Sequence, residues 1–131
     1  MARFFLPLIP DGEFDAVVVS ATTQALSVAT FCTHLTGTNG AACVATLPAG
    51  TKIGQLKKIV TRAKTSASSI AVTLTSHFGP ADASDVLTLT EDGDYALCQW
   101  QDGNTDASNV GGAGWKVLET GNIDAGSDQL G

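Results

Sequence analysis

Residues 70–75 read Ile70-Ala71-Val72-Thr73-Leu74-Thr75. Ile70, Val72 and Leu74 point one way, and smaller or polar side chains point the other. A period of two marks a half-buried β-strand. The same grammar recurs on both sides of this stretch. Towards the C-terminus, residues 86–90 (VLTLT) and 95–101 (YALCQWQ) read as two strands. They are joined by Glu91-Asp92-Gly93-Asp94, a turn with Asp-Gly at its centre. Residues 115–119 (WKVLE) make the last clear strand. Towards the N-terminus, residues 55–62 (QLKKIVTR) are ambiguous, because Leu56, Ile59 and Val60 would suit one helical face. Eight residues is short for a helix and β-branched residues cluster at the end, so a strand is the reading adopted. Residues 43–47 form another strand, closed by Pro48-Ala49-Gly50. Residues 26–35 (LSVATFCTHL) are the longest candidate, but their alternation slips. Leu26 and Val28 share one face, while Phe31, Thr33 and Leu35 share the other. A bulge or bend near Ala29 and Thr30 reconciles them. Gly37-Thr38-Asn39-Gly40 supplies turn chemistry, and residues 16–20 (AVVVS) make the first strand.

About eight strands and no helix predict an all-β fold, a single β-sandwich or jelly-roll-like domain. The chain has 131 residues, enough for one core. Charged residues are only 15% and hydrophobic residues 44%. Low charge with ordinary hydrophobic content argues against disorder. The sequence divides into an extended N-terminal arm at 1–15, the sandwich domain at 16–121 and a flexible tail at 122–131.

The arm carries Phe4, Phe5, Leu6, Leu8 and Ile9 beside Pro7 and Pro10. Nearly every side chain is apolar, so alternation cannot bury it. Two readings stay open: a strand along its own core, or a docking arm on a neighbouring subunit. Charge is split along the chain. Five of seven basic residues, Lys52, Lys57, Lys58, Arg62 and Lys64, fall in one window without an acid. Ten of thirteen acids fall between Asp82 and Asp128. The split predicts a basic patch and an acidic region. They either pair within one chain or meet a partner, where complementary charge sets register and encounter rate. The apolar arm residues and the five bases are therefore the candidate partner-binding residues.

A net charge of −6 disfavours nucleic-acid binding. No apolar run approaches the roughly 18 residues of a membrane helix, and the prolines break the arm too early for a secretory signal. Cys32, Cys43 and Cys98 match neither a disulfide scaffold nor a zinc pattern. Three small, mostly buried thiols of a cytoplasmically made protein are the preferred reading, with a Cys32–Cys43 bridge left open.

Catalytic chemistry is not legible. His34 and His77 stand in no nucleophile motif and read as structural. Asp102-Gly103-Asn104-Thr105-Asp106 starts like a calcium loop, but Ala107 and Ala113 occupy positions that need Gly and Glu. The loop at 102–114 reads as polar and long, without a metal. Glu91, Asp92 and Asp94 read as solvated turn residues. Trp100 and Trp115 bracket the loop; they either line a sugar platform or, the favoured reading, anchor a hairpin to the core. No cofactor is expected.

Two segments carry a resemblance. One is Leu47-Pro-Ala-Gly-Thr-Lys-Ile-Gly-Gln-Leu-Lys-Lys-Ile-Val60. The other runs from Thr88 through Glu91-Asp-Gly-Asp94, Leu97 and Trp100-Gln-Asp-Gly103 to Gly114-Trp-Lys-Val-Leu118. Together they resemble small virion structural proteins of tailed bacteriophages, including capsid decoration (cement) proteins and related β-modules of tail fibres. The resemblance covers roughly residues 44–120. It implies a β-sandwich or jelly-roll-like domain, often trimeric, that sits on the outer capsid surface between major capsid protein subunits and performs no catalysis. A tail-fibre or baseplate module touching host glycans is the alternative it also implies.

Overall fold

The structure, a computed structural model, describes residues 14–38, 42–63, 69–78, 86–104 and 112–121. The expected arm up to residue 13 and the tail from 122 lie outside the described residues, as does the Asn39-Gly40 turn. The described residues form nine strands and no helix. They are β1 (Phe14–Val19), β2 (Gln24–Ala25), β3 (Cys32–Gly37), β4 (Cys43–Leu47), β5 (Leu56–Ala63), β6 (Ile70–Leu74), β7 (Val86–Leu89), β8 (Tyr95–Asn104) and β9 (Gly112–Gly121).

Two mixed sheets face each other, a β-sandwich-like domain. One has the order β1-β3-β5-β8-β9 and the other β2-β4-β6-β7. The first six strands alternate between the sheets. Consequently β1, β3 and β5 run parallel in one sheet, and β2, β4 and β6 run parallel in the other. Parallel neighbours need a crossover connection, usually a helix. Here each crossover is a strand of the opposite sheet. The winding then reverses. β7 lies antiparallel to β6, β8 lies antiparallel to β5, and β9 completes a hairpin with β8.

Alternation delivers the core. From the five-stranded sheet Val19, Leu35, Ile59, Ala96, Cys98, Trp100 and Trp115 point inwards; from the four-stranded sheet come Cys43, Ala45, Leu47, Ile70, Val72, Leu74, Leu87 and Leu89. Each fully buried Val, Leu or Ile contributes about 1.5–3 kcal/mol of transfer free energy before ordering costs.

Several expectations change. The stretch 26–35 is not one strand. It bends through residues 28–31, and only from Cys32 does it join the sheet. The slip in its alternation is this bend, where Ser27 Oγ accepts the amide of Ala29. The turn at 91–94 links β7 and β8, which belong to different sheets, so it is a crossover between layers. The loop expected at 102–114 is shorter, because β8 reaches Asn104 and β9 begins at Gly112. Gly103, with φ of 83°, lies in a register shift that lets the hairpin continue. The first strand begins at Phe14, two residues before the expected domain boundary.

Candidate partner-binding surface

The five bases do not form one patch. Successive residues of a strand face opposite ways, and Ile59 belongs to the core, so Lys57 also points inwards and Lys58 outwards. Lys57 is fully buried. This corrects its expected place on a binding surface. Its ammonium donates to the Thr30 carbonyl at 3.0 Å, to Thr30 Oγ1 at 3.1 Å and to Thr33 Oγ1. Those two hydroxyls donate in turn to Asp15 Oδ1, at 2.8 and 2.6 Å. All three ammonium hydrogens have acceptors, and a carboxylate lies one hydroxyl away. Burial lowers the Lys57 pKa, and the Asp15 charge opposes that shift. The phase of QLKKIVTR was the signal for this: a strand with Ile59 inside must place Lys57 inside too.

Lys58 and Arg62 lie on the outer face of β5, one half-buried and one exposed. The Lys58 ammonium sits 4.8 Å from the Tyr95 ring centroid. Tyr95 donates to Glu119 Oε2 at 3.0 Å. Lys52 is exposed beside Ile53 in the turn before β5. Lys64 and the arm residues Phe4, Phe5, Leu6, Leu8 and Ile9 lie outside the described residues.

The outer face of the five-stranded sheet carries the other exposed apolar side chains: Phe14 at 56%, Val18 at 63% and Leu118 at 47% exposure. Across the ladder Phe14 neighbours Cys32, Lys58, Leu97 and Glu119 in turn, and Ala16 neighbours His34, Val60, Tyr95 and Gly121. Phe14 rests on His34, with ring centroids 5.0 Å apart. The face is a mainly apolar surface crossed by three bases, Lys58, Arg62 and Lys116, and one acid, Glu119.

The two sequence segments singled out above interlock. Trp115 is fully buried and its indole N–H donates to the Pro48 carbonyl at 2.7 Å. Trp100 stacks edge-on against it at 5.2 Å. A Cβ on Gly50 would come within 2.4 Å of Trp100 Cγ, so only glycine lets the Leu47-Pro-Ala-Gly50 segment lie there. Gly54, at φ 93°, donates its amide to the Trp100 carbonyl at 2.7 Å. Gln55 bridges outward: it accepts from the Thr51 amide at 2.7 Å and donates to the Val28 carbonyl at 2.7 Å. The tryptophans thus anchor the hairpin and do not form an open platform.

The acidic turn also divides. Glu91 and Asp92 are exposed, but Asp94 is buried, a correction to the solvated reading. Its Oδ2 accepts the amides of Thr90 at 2.8 Å and Glu91 at 3.0 Å, holding the crossover between sheets. His77 is buried and bridges Trp115. No disulfide joins Cys32, Cys43 or Cys98, and Cys43 Sγ donates to the Thr38 carbonyl at 3.4 Å. Cys32 lies on the outer face of β3 beside Phe14 and Lys58, whereas Cys43 points into the core, so the bridge left open above does not form. Burial pushes the Cys98 thiol up to about 12. Burial also raises Cys32, against the lowering effect of Lys58 and Lys57. Among the described residues no group of three or more His, Cys, Asp or Glu is placed to hold a metal. No protein-family model matches this sequence, and no curated protein matches it.

Proposed function

We propose that this chain is a non-enzymatic virion structural protein, a capsid decoration protein that binds between major capsid protein subunits on the outer shell and stabilises a phage head. The observation that supports the reading is the outer face of the five-stranded sheet. Phe14 and Val18 stand exposed on β1, which follows the apolar arm residues after Pro10-Asp11-Gly12-Glu13. The face offers an apolar contact, flanked by Lys58 and Arg62 for acidic capsid surface, and the apolar arm residues Phe4, Phe5, Leu6, Leu8 and Ile9 would add to it. Burial of such area contributes roughly 25 cal/mol per Å² before ordering costs, and repetition over a shell multiplies weak contacts. The resemblance implies a trimer as the binding unit. The glycan-binding alternative relied on Trp100 and Trp115, whose rings are spent inside the hairpin anchor.

The test is the copy number of this chain in purified virions from its source, by quantitative mass spectrometry. A number comparable to the major shell protein is the expected result. A number far below it moves the role to the tail or a vertex, and absence from virions overturns the reading.

A further inference from the structure

We propose that β1 is a self-association edge, at which two copies pair antiparallel through Phe14–Val19 and join their five-stranded sheets into one. Sheet edges present unpaired backbone N–H and C=O groups, and soluble proteins guard them with charge, proline, bulges or shortness. The edges here differ sharply in this respect. β9, at the far side of the same sheet, carries two register shifts and exposes Lys116 and Glu119. β2 has only two residues, and β7, the other edge of the four-stranded sheet, has only four. β1 has six residues, pairs with β3 in unbroken register and contains no proline, lysine or arginine. Its one charged side chain, Asp15, points inwards and is bonded to Thr30 and Thr33.

The outward residues of β1 are Phe14, Ala16 and Val18, all exposed. Their pattern is symmetric about Ala16. An antiparallel second copy with Ala16 at the centre sets Phe14 opposite Val18 of that copy, and apolar side chains then meet along the whole joint. The outward residues of the adjacent β3 are Cys32, His34 and Thr36, so no carboxylate, lysine or arginine stands on the outer face of the outermost two strands. Two such margins meet without charge repulsion and without burying an unpaired charge. An unlike partner gains nothing from this symmetry. A second copy does, through an isologous twofold contact.

The inference is independent of the virion reading and differs from the trimer implied by the resemblance. The test uses the full chain. Sedimentation velocity of the wild-type protein is expected to show a dimer of twice 13.4 kDa. Val18→Lys places like charges near the joint and weakens dimerisation by about tenfold or more. In a Cys32→Ser background, Ala16→Cys is expected to form a covalent dimer under mild oxidation, because facing Cα atoms of an antiparallel pair lie roughly 4.5–5.5 Å apart, within disulfide reach. Gln24→Cys on β2 is the control that stays monomeric. The crosslink decides the matter even if Val18→Lys fails to fold. A wild-type monomer at all concentrations overturns the proposal. So does a trimer unchanged by Val18→Lys, or a dimer that appears only after residues 2–13 are deleted, which would mean that a chain's own arm covers its edge.

Discussion

Lys57 reaches Asp15 through the hydroxyls of Thr30 and Thr33, each of which accepts from the ammonium and donates to the carboxylate. A buried charge is tolerated only when its hydrogen bonds and its countercharge are both supplied. Asp15→Ala removes the countercharge and is expected to cost about 3 kcal/mol in urea unfolding. Thr33→Val keeps the shape but strands one ammonium hydrogen, and about 2 kcal/mol is expected. The two buried titrating groups bias stability in opposite directions with pH. Burial raises Cys98 from 9.0 to about 12, so the folded chain holds this proton longer than the unfolded chain. Its contribution is complete below about pH 9 and is lost as pH climbs from there towards 12. Lys57 is lowered from 10.5, so the folded chain binds fewer protons just below that value and stability rises with pH there. Cys98→Ala is expected to lose about 2 kcal/mol less than wild type between pH 8 and pH 10.5 in urea titrations. Equal losses in both proteins would remove Cys98 as the cause.

At the scale of elements, the Leu47–Gln55 connection and the β8–β9 hairpin behave as one clasp. The connection leaves β4 in one sheet and enters β5 in the other. It is held at Pro48 by Trp115, at Gly50 by contact with Trp100, and at Gly54 and Gln55 by backbone bonds to Trp100. Gly50→Ala forces a Cβ into the indole and is expected to cost about 2 kcal/mol, read as a fall in the thermal midpoint. Ile53→Ala, in the same connection but 57% exposed, is the control and should leave the midpoint within experimental error. Equal effects would mean that the whole turn, and not the Gly50–Trp100 contact, limits stability. The clasp residues Pro48, Gly50, Trp100 and Trp115 are therefore structural: they fix how the layers meet.

For the whole molecule, the proposed contact surface lies on the outer face of the five-stranded sheet, with the core and clasp behind it. Deletion of residues 2–10 is expected to weaken capsid binding while leaving the unfolding midpoint unchanged, by co-sedimentation with purified shells and by thermal melts. A large fall in the midpoint would make the arm part of the core. Lys58→Glu with Arg62→Glu is expected to weaken capsid binding about tenfold at low salt, with the gap closing as salt rises, because exposed charges are screened within a Debye length. A salt-independent loss would point to packing as the cause. The strand positions were largely legible. Cys43–Leu47 has the predicted bounds, and Ile70–Leu74 differs by one residue. The surface itself was less so. Phe14 and Val18 are ordinary strand residues in the sequence, and nothing local distinguishes an edge strand from an interior one.

The sequence by itself determined the β class and the places of most strands and turns. These follow from the period of two and from turn chemistry, both of which are local. The tertiary structure alone decided which strands are neighbours. Alternation does not say to which sheet a strand belongs, and the parallel winding of β1 to β6 emerges only when two sheets close over a shared core. That closure buried Lys57 and Asp94, which their composition would place in water, and left Phe14 and Val18 outside, which their composition would place in the core. Long-range packing made these choices, because a side chain's burial depends on what lies across the sandwich and not on its neighbours along the chain.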